Sequence, residues 1–214
     1  MQMTEPPIVD AGDLGVRTYR GWIFEGVSLT ADAAQLVAIA GPGGSGRSSL
    51  LLTLGGRMRP SAGALRVSGL PLPARAAQVR SRTAIARIGG AVTLDEELRV
   101  GDHVRERALA AGCRKAAFGS ACSVVQLKLD EHALVGSLDA HQVTLLALTL
   151  ALMEGRPIVL LDDLDTGSDA RTQAWLWAAA RRAADTGACV IATTTEADLA
   201  APYAHHVASL YGAN

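Results

Sequence analysis

Nine residues, Gly41-Pro42-Gly43-Gly44-Ser45-Gly46-Arg47-Ser48-Ser49, stand between two apolar runs at 36–40 and 50–54. Glycines at that density let backbone N–H groups approach an anion, a cationic side chain can reach phosphate oxygens, and a hydroxyl can ligate a divalent cation. A buried strand, such a loop and then a helix make a phosphate-binding loop of the form G-x-x-x-x-G-K-[ST]. Gly41, Gly46 and Ser48 fit that form, and Arg47 stands at its lysine position. The guanidinium keeps the charge and can pair with phosphate oxygens, but its planar fork is no substitute for a compact ammonium in a tight loop. Compositional drift is a second source for Arg47, because only Lys115 and Lys128 are lysines among 20 Lys+Arg.

A second cluster lies far along the chain, where the apolar run 158–161 ends in Asp162 and Asp163. Acids at the carboxyl end of a buried strand sit beside bound phosphates, where Asp162 can hold Mg²⁺ and Asp163 can position an attacking water. Taken alone, the same residues are equally a strand followed by an acidic turn. Coupled to the glycine-rich loop, they point to nucleotide chemistry. Other reactive residues carry less: His205 and His206 have no metal-binding spacing and fall at the start of a final strand. Cys113, Cys122 and Cys189 are odd in number and lack a C-x-x-C, which reads as ordinary thiols in a reducing compartment.

The elements that must position these groups follow from hydrophobic pattern. Short aliphatic runs at 36–40, 158–161 and 189–193 alternate with longer helical patterns, giving an α/β fold with a mostly parallel central sheet. A helix is expected over 48–55, stopping at Gly55-Gly56, and another over 169–185, closed by Gly187. Residues 59–63 read as a turn, and two prolines bar helix from 70–73. From 100 to 135 the pattern is helical but ragged, with Gly101, Gly112, Gly119 and Gly136 as expected breaks. Trp175 and Trp177 lie on opposite sides of one helix, so at most one faces the core and the other is left for a contact surface.

With 214 residues, 49% of them hydrophobic, the chain can bury one sizeable core. A net charge of −1 argues against an electrostatic nucleic-acid binder. Residues 1–10 show neither the basic nor the apolar region of a secretory signal, so a cytoplasmic chain is expected. The longest apolar stretch, 143–153, falls short of the roughly 20 residues that span a bilayer, and any membrane role would come through a partner.

Further segments give these motifs a family. Phe24-Glu25-Gly26-Val27-Ser28-Leu29 precedes the loop, Arg59-Pro60-Ser61-Ala62-Gly63 follows it, and Glu97-Leu98-Arg99-Val100 opens the helical stretch. Val135 to Gln142, containing Leu138-Asp139-Ala140-His141-Gln142, stands twenty residues before Asp162, where an L-S-G-G-Q signature would fall. In order and spacing, the chain resembles the ATP-binding subunit of an ABC transporter over nearly its full length. The resemblance implies a P-loop NTPase fold with an N-terminal antiparallel β part and a short helical subdomain at about 100–150, within a single domain covering 1–214. It further implies ATP and Mg²⁺ as ligands, residues 41–49 around the phosphates, and Ser48 and Asp162 on the metal. Expected partners are a separate transmembrane subunit and a second ATP-binding subunit, joined head to tail as a homodimer or heterodimer at the inner face of the plasma membrane. An adenine-stacking aromatic is expected about two dozen residues before the loop; Tyr19 is preferred over Trp22, whose alternative is core packing.

The same resemblance marks departures. Asp139 replaces the signature serine and His141 a glycine, and Asp139 with Gln142 also makes a capping box that satisfies the helix's own N–H groups. Asp163 stands for a glutamate, one methylene short of the water it would polarise, a misplacement of the order that can cost about a hundredfold in rate. Leu164 replaces a proline, Thr195 a switch histidine, and no glutamine appears near 91–93. Asp169 matches the D-loop aspartate and is equally the N-cap of the next helix. The expectation is ATP binding with weak or partner-dependent hydrolysis by Asp163 and Thr195. The alternative is a regulatory or structural module that keeps the fold without efficient turnover.

Overall fold

The computed structural model describes residues 6–211; residues 1–5, half of the stretch read above for a secretory signal, lie outside the described residues. The chain begins with two long strands, β1 (Val9–Thr18) and β2 (Gly21–Ala31), joined by a turn at Tyr19-Arg20. β3 (Leu36–Ala40), α1 (Arg47–Leu54), β4 (Ala62–Val67), β5 (Leu70–Leu72), α2 (Ala76–Arg80) and β6 (Thr83–Arg87) follow. Three helices come next, α3 (Val100–Ala111), α4 (Ala117–Val125) and α5 (Ala140–Met153). The chain closes with β7 (Ile158–Leu161), α6 (Ala170–Asp185), β8 (Cys189–Thr194), α7 (Ala197–Ala200) and β9 (His206–Ser209).

These strands form an antiparallel sheet in the order β2-β1-β4-β5 and a parallel sheet in the order β6-β7-β8-β3-β9. Strand side chains alternate between faces, so each wholly apolar run feeds two cores. Leu36 and Ala38, Val159 and Leu161, and Val190 and Ala192 face the side covered by α3–α6. Val37 and Ile39, Ile158 and Leu160, and Cys189 and Ile191 face the opposite side, packing with α1 and the antiparallel sheet. A strand buried on both faces cannot alternate with polar residues, which is why these runs read as continuous hydrophobic blocks. Helix α5 is buried from Thr144 through Ala151, which accounts for its lack of a polar stripe.

The expected strands and helices are present, with boundaries shifted by a residue at several ends. Gly112 closes α3 in the left-handed region, φ 68°, and Gly187 follows α6 at φ 111°. Gly101 and Gly119 correct the reading of the middle segment, because they lie inside α3 and α4 and break neither. A Cβ on Gly101 would lie 3.1 Å from the Glu131 carbonyl, so that glycine serves close packing. Gly136 sits in a 3-10 turn over Val135–Ser137, and Ala62 already belongs to β4, shortening the expected turn at 59–63. Trp177 is wholly buried while Trp175 is only partly so, as helix geometry required. Among the described residues, no helix is long and apolar enough to cross a membrane.

Candidate functional site

All strands of the second sheet are parallel, so their carboxyl ends gather on one edge. There β3 delivers the loop 41–46, β7 delivers Asp162 and Asp163, and β8 delivers Thr193 and Thr194. The loop's shape depends on two glycines. A Cβ on Gly41 would collide with the Leu210 carbonyl, and Gly46, at φ 95°, leaves only 2.9 Å between such a Cβ and the Ile23 carbonyl. Beyond Gly46 the chain enters α1. Among the described residues, the N–H groups of Gly43, Gly44, Gly46, Arg47, Ser48 and Ser49 have no backbone acceptor. They line a cleft of about 350 Å³ formed by residues 42–49, Ile23 and Asp163. Free donors at a helix N-terminus, combined with the helix dipole, make such a cleft favourable for phosphate.

Strand order then brings the two sequence motifs together. Ser48 Oγ donates to Asp162 Oδ2 at 2.5 Å, spanning 114 residues of chain. Asp162 is 1% exposed, and its other oxygen accepts from Thr193 Oγ1 at 2.6 Å. Gly89 N–H also donates to Oδ2, at 3.3 Å. Gly89 gets there through a tight turn in which Ile88 and Val92 exchange backbone bonds of 2.9 and 2.8 Å. That turn occupies the stretch where the family glutamine was expected. A hydroxyl and one carboxylate suit Mg²⁺, which keeps most of its shell as water and substrate phosphate. Among the described residues, no group of three or more His, Cys, Asp or Glu is placed to form a separate metal centre.

Arg47 is 8% exposed and lies across the loop. Its Nη1 donates to the Gly41 and Pro42 carbonyls, the latter at 3.1 Å, and its Nη2 donates to Asp163 Oδ1 at 2.6 Å. Among the described residues, its Nε and the Ser45 hydroxyl are buried without a partner. Asp163 has φ 46°, a left-handed conformation that side chains other than glycine's adopt at a cost. Two contacts hold it there: Asp163 N–H donates to Thr193 Oγ1 at 2.8 Å, and Arg87 Nη2 donates to the Asp163 carbonyl at 2.6 Å. Arg87 also donates to the Asp162 carbonyl at 3.3 Å and to Thr144 Oγ1 of α5 at 3.1 Å. Burial lowers its pKa, against the raising effect of Asp163 and Asp162.

Other expected site residues are placed differently. Thr195 lies one residue past β8 and is exposed; Thr193, buried in β8, is the threonine that touches the acids. Sequence reading missed Thr193 and Arg87 because their importance follows from β8 lying between β7 and β3, and from β6 flanking β7. Leu138 ends the 3-10 turn and Asp139 caps α5, where its N–H donates to Gln142 Oε1 at 3.0 Å in the expected capping box. Asp139 and Ala140 are exposed, and His141 packs on Trp175 with ring centroids 5.5 Å apart. Asp169 caps α6, accepting from Thr172 N–H at 2.8 Å, and that bond lowers its carboxyl pKa. Tyr19, the expected adenine-stacking aromatic, is 91% exposed at the β1–β2 turn, and Ile23 of β2 lines the phosphate cleft. Trp22 is not a core residue: it packs over Gly15 with the Arg17 guanidinium 5.6 Å from its ring. His205 Nδ1 accepts from Leu36 N–H at 2.9 Å, a structural role beside β9.

Known proteins resemble this chain in sequence and share its fold. A family model described as ABC transporter matches residues 24–165. The hemin import ATP-binding protein HmuV of Bradyrhizobium diazoefficiens is 32% identical over 225 residues, covering 96% of this chain and 80% of that protein. An ABC transporter ATP-binding protein of Streptomyces avermitilis is 30% identical across 95% of this chain, which spans only 36% of that relative's length. Among solved structures, an ATP-binding subunit of an ABC transporter superposes with a TM-score of 0.77 at 21% identity, covering 95% of this chain and 85% of the other. The dimeric bacterial cassette MJ0796 does so with a TM-score of 0.76 at 18% identity, covering 95% and 94%. Motif order, the meeting of Ser48 with Asp162, and these likenesses agree: the chain belongs to the ABC transporter family, as a nucleotide-binding domain.

Proposed function

We propose that this chain binds MgATP in the cleft over residues 41–49 and acts as the ATP-binding part of an ABC-type membrane transporter. The observation that carries this reading is the 2.5 Å contact between Ser48 Oγ and Asp162 Oδ2, beneath a row of free N–H groups. When bound, Mg²⁺ would neutralise phosphate charge; Ser48 and Asp162 would hold it, the loop N–H groups would bind the phosphates, and Asp163 would orient a water. Tyr19, at the exposed hairpin turn, would stack on adenine. Helices α3–α5 would form the helical subdomain of a single domain. A transmembrane subunit would anchor the chain at the inner face of the plasma membrane. A second ATP-binding subunit, identical or not, would bring its signature-like residues 138–142 to this cleft, with Asp169 and Thr195 at the shared boundary.

The Arg47–Asp163 ion pair favours a second reading, a regulatory or structural nucleotide-binding module that keeps the fold without efficient hydrolysis, because it engages the group that should orient water. Measuring ATP affinity and phosphate release, alone and with the transmembrane partner, separates the two. Steady turnover that is lost in Asp163→Asn supports the transporter ATPase. Tight binding without turnover under both conditions supports the regulatory module, and absence of nucleotide binding refutes both.

A further inference from the structure

We propose that the Arg47–Asp163 ion pair is a latch worked by phosphate: Asp163 holds Arg47 until a nucleotide phosphate replaces it, and the exchange frees the Asp163 carboxylate. The inference rests on the nucleotide-binding reading above and assigns that site its regulation.

The two partners are unequal. The Arg47 side chain is 9% exposed and anchored through Nη1 to two loop carbonyls, whereas the Asp163 side chain is 38% exposed and, among the described residues, held by Arg47 alone. The main chain of Asp163 is fixed separately by Thr193 and Arg87, so its carboxylate can turn away by side-chain rotation while the backbone stays in place. A lysine has a single charged nitrogen. The arginine fork instead gives Nη1 to the loop and leaves Nη2 and Nε for an anion. Nη2 already holds Asp163, and buried Nε has no acceptor among the described residues. A phosphate entering the cleft brings more negative charge than one carboxylate and also meets the free loop N–H groups. It therefore outcompetes Asp163 for Nη2, and repulsion between the two anions drives the carboxylate outward. Nucleotide-free protein thus keeps its water-orienting acid engaged, and occupied protein releases it.

If Asp163 competes with phosphate, removing its charge tightens binding, and only while Arg47 is present. ATP dissociation constants would be measured by calorimetry in EDTA for the wild type, Asp163→Asn, Asp163→Ser, Arg47→Met and the two double variants. Thermal melts without nucleotide would confirm that each is folded. The expected result is roughly three- to tenfold tighter binding in both Asp163 variants, the span between exposed and half-buried ion pairs, with the gain abolished in the Arg47→Met background. Unchanged affinity overturns the latch and leaves nucleotide binding intact. An equal gain in both backgrounds also overturns it, since simple repulsion between Asp163 and phosphate would then suffice. No binding by any variant refutes the nucleotide-binding reading, and the latch with it.

Discussion

Replacing Asp162 by asparagine isolates the carboxylate on which both motifs converge. Among the described residues, the Asp162 carboxylate has three donors, Ser48 Oγ at 2.5 Å, Thr193 Oγ1 at 2.6 Å and Gly89 N–H at 3.3 Å, and no side-chain cation bonds to its carboxylate oxygens. An amide keeps the shape but places an NH₂ against at least one of those donors. If it faces Oδ2's partners, the Gly89 N–H and the NH₂ are both donors and one goes unpaired. If it faces Thr193, that hydroxyl must give up its bond while still accepting from Asp163 N–H. One bond to a charged acceptor, worth about 1.5–3 kcal/mol, is lost. Relief from burying an unpaired charge offsets part of it, leaving a net cost of roughly 1–2 kcal/mol. For a chain of this size that lowers Tm by roughly 2–8 °C, at about 2–4 °C per kcal/mol. The nucleotide response changes more. At a hundred times Kd a ligand stabilises by about 2.7 kcal/mol, which raises Tm by roughly 5–11 °C. Scanning calorimetry with ATP in Mg²⁺ or in EDTA reads both effects. In the wild type the Mg²⁺ shift should exceed the EDTA shift; in Asp162→Asn the two should coincide at a lower starting Tm. A full Mg²⁺-dependent shift in the variant would refute the assignment of Asp162 to the metal.

Two further perturbations test the core and its titration. Trp177 is wholly buried and its Nε1 donates to Asp165 Oδ2 at 3.1 Å, an oxygen that also accepts from Thr194 Oγ1 at 2.8 Å. Trp177→Phe should cost about 2–3 kcal/mol through lost volume and a lost bond to a buried carboxylate, read as a drop in denaturant midpoint. Burial raises the Cys189 thiol from 9.0 to about 12, with a smaller contribution from Asp32. Above pH 9 the unfolded chain releases this proton while the folded chain keeps it, so stability should be complete below pH 9 and decline as pH rises toward 12. Cys189→Ala should flatten that part of the profile in pH-dependent denaturant melts, and an unchanged slope would exclude Cys189 as its source.

Local chemistry determined much of this protein in advance. Continuous apolar blocks announced β3, β7 and β8, because a strand buried on both faces must be hydrophobic throughout. The loop 41–49 declared a phosphate cleft, because Gly41 and Gly46 are needed where a Cβ would strike the Leu210 and Ile23 carbonyls. Asp139 with Gln142 and Asp169 with Thr172 were legible as helix caps, since such bonds span three residues. Strand order could not be read in the same way, because nothing local states that β8 inserts between β3 and β7. That order alone selects Thr193 over Thr195 as the threonine on the acids, sets Arg87 behind them and pairs Arg47 with Asp163 across 116 residues. Sequence thus determined which groups could bind phosphate, and the packing of parallel strands decided which groups they meet.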